Sequence, residues 1–111
     1  MSSWYKDYLD SWATEDVDLV LAWFTDDIVY EDTTLGHASS GNDQVRRFVL
    51  SSFEQAPGVH FDFVSGGDDG QRFFIEWVMQ PMALRGVSVG TMRDGKISAQ
   101  RDYWDGKAFS I

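Results

Sequence analysis

"NDQVRRFVLSSFEQAPGVHFDFVSGGDDG", residues 42–70, changes its apolar period in the middle. The first half puts Val45, Phe48, Val49 and Phe53 at helical intervals, which predicts a helix from about Asn42 with one buried face. Past Pro57 the stretch "VHFDFVS" alternates apolar and polar residues, the two-residue period of a strand. His60 falls on the opposite face from Phe61 and Phe63. "GGDDG" then reads as a turn; it lies between strands and opens no helix, so it is not a phosphate cradle.

The strand period holds from there onward. "RFFIEWVM" is a strand, "QP" at Gln80 and Pro81 breaks the pattern, and "MALRGVSVGTM" is a second long extended run. Arg93 to Gly95, "RDG", supplies a tight hairpin that leads into "KISAQRDYW". Toward the N-terminus the period is helical. Tyr5, Tyr8, Leu9 and Trp12 share one face, and Val17, Val20, Leu21 and Phe24 share another that opens on Asp16 as N-cap. A short strand "IVYE" and a polar loop carrying His37 separate these two helices from the third. Helices followed by a run of strands give an α+β fold: a cone-shaped, curved antiparallel sheet closed by three N-terminal helices, with a hollow inside.

With 111 residues, 43% hydrophobic and 15% aromatic, the chain is expected to form one domain over residues 1–111. It has no cysteine, which removes disulfides, thiolate metal sites and a cysteine nucleophile. A net charge of -9 repels phosphate backbones, so nucleic acid is not an expected partner. The start "MSSWYKDYLDSW" has neither a basic nor an apolar leader segment, and no window reaches the ~18 apolar residues of a span. No membrane association and a cytoplasmic location are the expectations.

Alternation also sorts side chains by face. Phe73, Ile75, Trp77 and Met79 form one apolar set, and Ser98, Gln100, Asp102 and Trp104 form another in the last strand. Such a set either fills a core or lines a hollow for a hydrophobic small molecule. Asp102, flanked by Tyr103 and Trp104, must face solvent, pair with Arg85 or Arg101, or be a buried functional acid. Glu31 and Asp32 point to opposite sides, so only one can face the hollow. His37 and His60 stand apart from each other and from carboxylates at ligand spacing, and neither metal nor cofactor is expected. His37 is either a polar loop residue or a mobile acid or base near Asp32.

Two short helices, "WFTDDIVYEDTTLG", a third helix after Gly41 and the ending "GTMRDGKISAQRDYWD" together resemble the nuclear transport factor 2-like superfamily, in its SnoaL-like and ketosteroid isomerase-like branch. The resemblance implies a cystatin-like α+β barrel and runs from about Tyr5 to Asp105. In the isomerases a strand end of this type carries the general base and a first-helix tyrosine is an oxyanion donor, which implies those roles for Asp32 and Tyr8. Ser88 stands where those enzymes have a second donor, an aspartate. Similarity to limonene epoxide hydrolase-like enzymes matches Tyr30, Asp32 and Asp102, but Trp77 and Met79 occupy the positions of an arginine and an aspartate those enzymes need.

The resemblance therefore implies an isomerase or polyketide cyclase-like enzyme that moves a proton beside a carbonyl in a hydrophobic polycyclic or terpenoid-like substrate. Asp32, Tyr8 and Asp102 are the catalytic candidates. Trp12, Phe73, Trp77, Met79, Leu84 and Trp104 would form the apolar wall, with Tyr30, His37 and Ser88 as further contacts. The alternative from another class is a small-ligand-binding or association domain without catalysis. The family commonly pairs through the outer face of its sheet, so a homodimer is expected.

Overall fold

The computed structural model describes residues 4–109. Helices α1 (Trp4–Ala13) and α2 (Val17–Leu21) precede strands β1 (Phe24–Asp32) and β2 (His37–Ser40). Helix α3 (Asn42–Gln55) leads to β3 (His60–Asp68), β4 (Arg72–Gln80), β5 (Leu84–Arg93) and β6 (Lys96–Trp104), and a 3-10 turn follows. The fold is α+β, with one curved six-stranded sheet in the order β2-β1-β6-β5-β4-β3.

Two features of the sheet differ from the sequence expectation. The sheet is not wholly antiparallel: β6 inserts between β5 and β1 and runs parallel to β1, with Tyr30 beside Gln100 and Asp32 beside Asp102. A parallel pair needs a long crossover, and everything from β2 to β5 supplies it. Nor is the sheet closed, because β2 and β3 are its two free edges. The helices cover the concave face instead, α1 against β3 and α3 against β1 and β2. Only α1 and α2 precede the sheet; α3 is inserted after β2.

Local chemistry explains the elements. Asp16 caps α2, its carboxylate accepting the Asp18 N–H at 3.0 Å, a contact worth about 1 kcal/mol. That helix stops at Leu21, and Phe24 belongs to β1, because the main chain there is captured by β6 through Ile97 N–H donating to Trp23 O at 2.8 Å. The polar segment read as a loop is the edge strand β2, paired with β1 from Val29–Ser40 to Asp32–His37. It buries little beyond Ser39, so no apolar alternation marks it. Gly66 and Gly67, assigned to a turn, lie within β3. The Tyr5 ring rests on Gly66, 3.1 Å from where a Cβ would stand, and its hydroxyl donates to Asp68, which pins α1 to the sheet. The β5–β6 hairpin turns on Asp94 and Gly95, both with positive φ, the conformation of a tight two-residue turn.

The core between helices and sheet is built from Tyr8, Leu9, Val20, Ile28, Val45, Val49, Ile75 and Ile97 with their neighbours. Full burial of an aliphatic side chain of this kind contributes about 1.5–3 kcal/mol. No helix among the described residues is long and apolar enough to cross a membrane.

Candidate active site

Register places the polar side chains in rows across the concave face. Trp77, Gly86 and Trp104 occupy one row on β4, β5 and β6. The next holds Ile75, Ser88, Asp102 and Asp32, and the third Phe73, Gly90, Gln100 and Tyr30. Gly86 is required where it stands. A Cβ there would lie 2.4 Å from the Trp77 ring and 2.9 Å from Trp104 Cβ, so its absence lets Trp77 lie against the β5 backbone beside Trp104. Trp77 then donates from Nε1 to Ser88 Oγ at 2.9 Å.

Asp102 is the centre of a buried network. Tyr30 donates to its Oδ2, Ser88 Oγ donates to Oδ1 at 2.7 Å, and Gln100 Nε2 donates to Oδ1 at 2.8 Å. Gln100 Nε2 also lies 3.2 Å from both Ser88 Oγ and Tyr30 Oη, and its Oε1 accepts the Tyr8 hydroxyl at 2.8 Å. Burial pushes the Asp102 carboxyl up to about 6, against the opposing effect of those hydrogen bonds. Burial, and then the nearby Asp102 charge, raise both Tyr8 and Tyr30 far enough that each stays a neutral phenol. Asp102 pairs with neither Arg85 nor Arg101; the latter reaches Tyr103 on the exposed side.

Asp32 sits on the same row in a different setting. Its two oxygens each accept Trp104 Nε1–H at 3.0 Å, and Oδ1 also accepts the Leu35 N–H at 2.9 Å. Glu31 is half-buried on the other side of β1. The turn at Thr33 and Thr34 is tied to β6 by both hydroxyls, onto Asp102 O and Trp104 O.

These two corners open into one cavity of about 250 Å³. Of the residues singled out from the sequence, Tyr8, Trp12, Tyr30, Asp32, Trp77, Met79, Leu84, Ser88, Asp102 and Trp104 line it. Two do not. Phe73 is buried deeper, packed edge-on against Trp4 with ring centres 5.5 Å apart. His37 stacks on the far side of the cavity wall against Phe48, at 5.4 Å and 14°, and faces a separate cleft with Gln44 and Arg47. As a β2 residue it is held in the sheet edge and is not a mobile loop acid. Ser98 also leaves the inner face: a register shift between Thr91 and Met92 sends it to the exposed side, where its hydroxyl meets Thr91.

Gln100 is the residue that sequence reading left out of the site, although alternation had placed it on the Asp102 face. A glutamine two residues before Asp102 on the same strand face was the available signal, since a buried amide needs partners. Phe48, Phe53 and Phe61 also line the cavity. Among the described residues no group of three His, Asp or Glu gathers as a metal site would need.

The family model for SnoaL-like domains matches residues 5–100. Among curated proteins, no sequence relative is found. Solved structures match the fold. One is a protein of ketosteroid isomerase-like fold from Catenulispora acidiphila in complex with trimethylamine, 19% identical at a TM-score of 0.80, covering 86% of this chain and 80% of that one. Another, from Sinorhizobium meliloti and named as a candidate polyketide cyclase, is 19% identical at 0.75, covering 86% and 89%. A third, named as a candidate isomerase of the SnoaL-like family from Agrobacterium tumefaciens, is 20% identical at 0.74, covering 89% and 92%.

Proposed function

From the premise that the chain belongs to the SnoaL-like domain family, we propose that it is an enzyme of proton transfer beside a carbonyl, an isomerase or cyclase acting on a hydrophobic substrate. The observation that carries this reading is the convergence of Asp32, Tyr8 and Asp102 on one aromatic-walled cavity. Asp32 takes a proton from the carbon next to the carbonyl, and the electron pair moves onto the carbonyl oxygen. Tyr8 exchanges its bond to Gln100 for one to that oxygen, where a neutral phenol in a dry site stabilises the developing charge. Asp32 then returns the proton at a second carbon, completing an isomerisation; in a cyclase the enolate carbon attacks a second carbonyl instead, and the alkoxide so formed takes the proton from Asp32. Asp102 holds Gln100, Tyr30 and Ser88 in place and is a second acid.

The test is exchange of the α-protons of cyclic enones and β,γ-unsaturated ketones in D2O, followed by NMR. The folded protein accelerates exchange, and Asp32→Asn loses about 10²–10⁴ of that acceleration, the usual contribution of a positioned base. Full exchange in Asp32→Asn removes Asp32 from the role.

One observation favours a second reading, a ligand-binding domain without catalysis. No buried side-chain nitrogen or oxygen among the described residues lacks a partner, and the Tyr8 and Ser88 protons are already engaged. Titration with 2-naphthol, a planar phenol shaped like an enolate, separates the two. Tight binding that is lost in Tyr8→Phe supports the enzyme; weak binding that is indifferent to Tyr8 supports the second reading. The protein is also proposed to self-associate through the outer face of the sheet, where Phe74 and Tyr103 are 44% exposed beside Val87 and Arg85. Sedimentation at micromolar concentration tests that.

A further inference from the structure

The cavity brings buried acids and aromatic rings together. Asp32 and Asp102 are 7% and 9% exposed, and both line it, with Glu15 lining it as a third carboxylate. Among the described lining residues there is no lysine, arginine or histidine. The ion pairs among the described residues, Arg46–Asp18 and Arg93–Asp27, lie on the exposed surface. Buried carboxylates are ordinarily neutralised by a cationic partner, because an isolated buried charge is costly. Here hydrogen bonds satisfy the oxygens, but no lining side chain among the described residues supplies the opposite charge. Beside the acids stand aromatic rings, including Trp12, Tyr30, Phe48, Phe61, Trp77 and Trp104, set among aliphatic side chains such as Met79 and Leu84. Ring faces attract cations through their quadrupole, most strongly where water is excluded.

From acids without a basic partner inside an aromatic wall, we infer that the ligand of this cavity carries a cationic amine, tertiary or quaternary, on its hydrophobic body. The inference rests on the reading that this cavity is the substrate site, and it narrows the substrate to an amino ketone or a related basic carbonyl compound. Anionic substrates, such as carboxylates and phosphorylated or coenzyme-bound acyl groups, are excluded by the same field. The rings hold the cation at van der Waals distance while Asp32 faces the carbonyl portion. An ammonium group near the carbonyl also helps the chemistry, because its charge stabilises the adjacent enolate.

Three probes of one shape test it on the intact protein: phenyltrimethylammonium, its neutral isostere tert-butylbenzene, and the anion benzenesulfonate. Binding is read from the fluorescence of the tryptophans that line the cavity. The ammonium is expected to bind about tenfold or more tightly than tert-butylbenzene, with no binding of the sulfonate. Glu15→Gln, a change at an exposed position whose amide oxygen can still accept the Gly58 N–H, is expected to reduce the preference for the ammonium with the fold retained. Equal or tighter binding of tert-butylbenzene, or no binding of the ammonium at millimolar concentration, overturns the inference. Charge preference that persists in a protein unable to exchange α-protons keeps the amine and removes the base chemistry. Exchange without charge preference does the reverse.

Discussion

Asp32 and Asp102 are neighbours in register on adjacent parallel strands and are buried to nearly the same degree, yet their surroundings differ in kind. Asp102 is wrapped by two hydroxyls and an amide. Asp32 is held by an indole N–H and a main-chain N–H. A hydroxyl can donate or accept, so the Asp102 corner can take up a proton and reverse an O–H without losing a contact. An N–H only donates. The Asp32 partners are donors only, so its carboxylate offers its remaining lone pairs to the cavity, the orientation that the proposed base role needs. The difference teaches that equal burial need not mean equal chemistry; the direction of the partners' protons sets the two corners apart.

The largest effect that can break this division is pH dependence at Asp102. Its folded-state carboxyl is pushed up to about 6 from an ordinary value of 3.8. The folded protein thus holds this proton more tightly than the unfolded chain. The stability contributed is complete below about pH 4 and is lost as pH rises through about 6. A shift of about two units corresponds to about 3 kcal/mol. Urea unfolding of wild type and Asp102→Asn at pH 4 and pH 7 measures it, since the amide does not titrate. Wild type is expected to lose about 3 kcal/mol relative to the variant across that interval. A constant gap would mean that Asp102 does not hold its proton in the folded state, and the corner would then be no different from its neighbour.

Gly86→Ala comes next, because it strikes between the two corners. The added methyl meets the Trp77 ring and the Trp104 Cβ together. Overpacking of this kind costs about 1–3 kcal/mol. The stiffer demand falls on Trp77, whose ring would be 2.4 Å from the new carbon, so the Trp77–Ser88 bond beside Asp102 is expected to break first. Near-ultraviolet circular dichroism and urea unfolding read the two consequences. Loss of α-proton exchange out of proportion to the change in the tryptophan spectrum would instead place the damage on the Asp32 side.

Why these corners were only partly legible in the sequence follows from how each is built. Asp32 and Asp102 were found because period-two alternation and the strand-end motif are local signals. Their pairing was not, because it depends on the chain passing to the far edge at β3 and stepping back through β4 and β5 until β6 lies parallel to β1, and no local pattern encodes that neighbour. The edge strand β2 was hidden for a related reason: "HASS" has almost nothing to bury, so hydrophobic alternation is silent where hydrogen bonding to β1 does the folding. Ser98 was misplaced by one register shift, which inverts every face assignment before it in the strand. His37 was drawn toward the site by its closeness in sequence to Asp32, but Phe48 stands between it and the cavity. Helices α1 and α3 were read well because their apolar stripes run over several turns, and the short α2 was overextended where strand pairing captured the residues after Leu21.

The smallest effect is the most discriminating. Trp104→Phe keeps an aromatic ring in the wall and removes the N–H that spans both Asp32 oxygens, together with part of the indole. The hydrogen bond accounts for about 1 kcal/mol of the expected stability loss, and the trimmed ring adds a packing loss to it. The Leu35 N–H remains, so Asp32 keeps one anchor and gains rotational freedom about it. If the corners are independent, the pH-dependent gap between wild type and Asp102→Asn is unchanged when both chains also carry Trp104→Phe, a double-mutant comparison that isolates coupling. The two carboxylates are nevertheless near enough to sense each other, since the Asp32 charge is among the influences that raise Asp102. A gap that shifts in the Trp104→Phe background would therefore mean that freeing Asp32 has moved its charge relative to Asp102. The two acids would then act as one coupled pair, with Trp104 setting the distance between them.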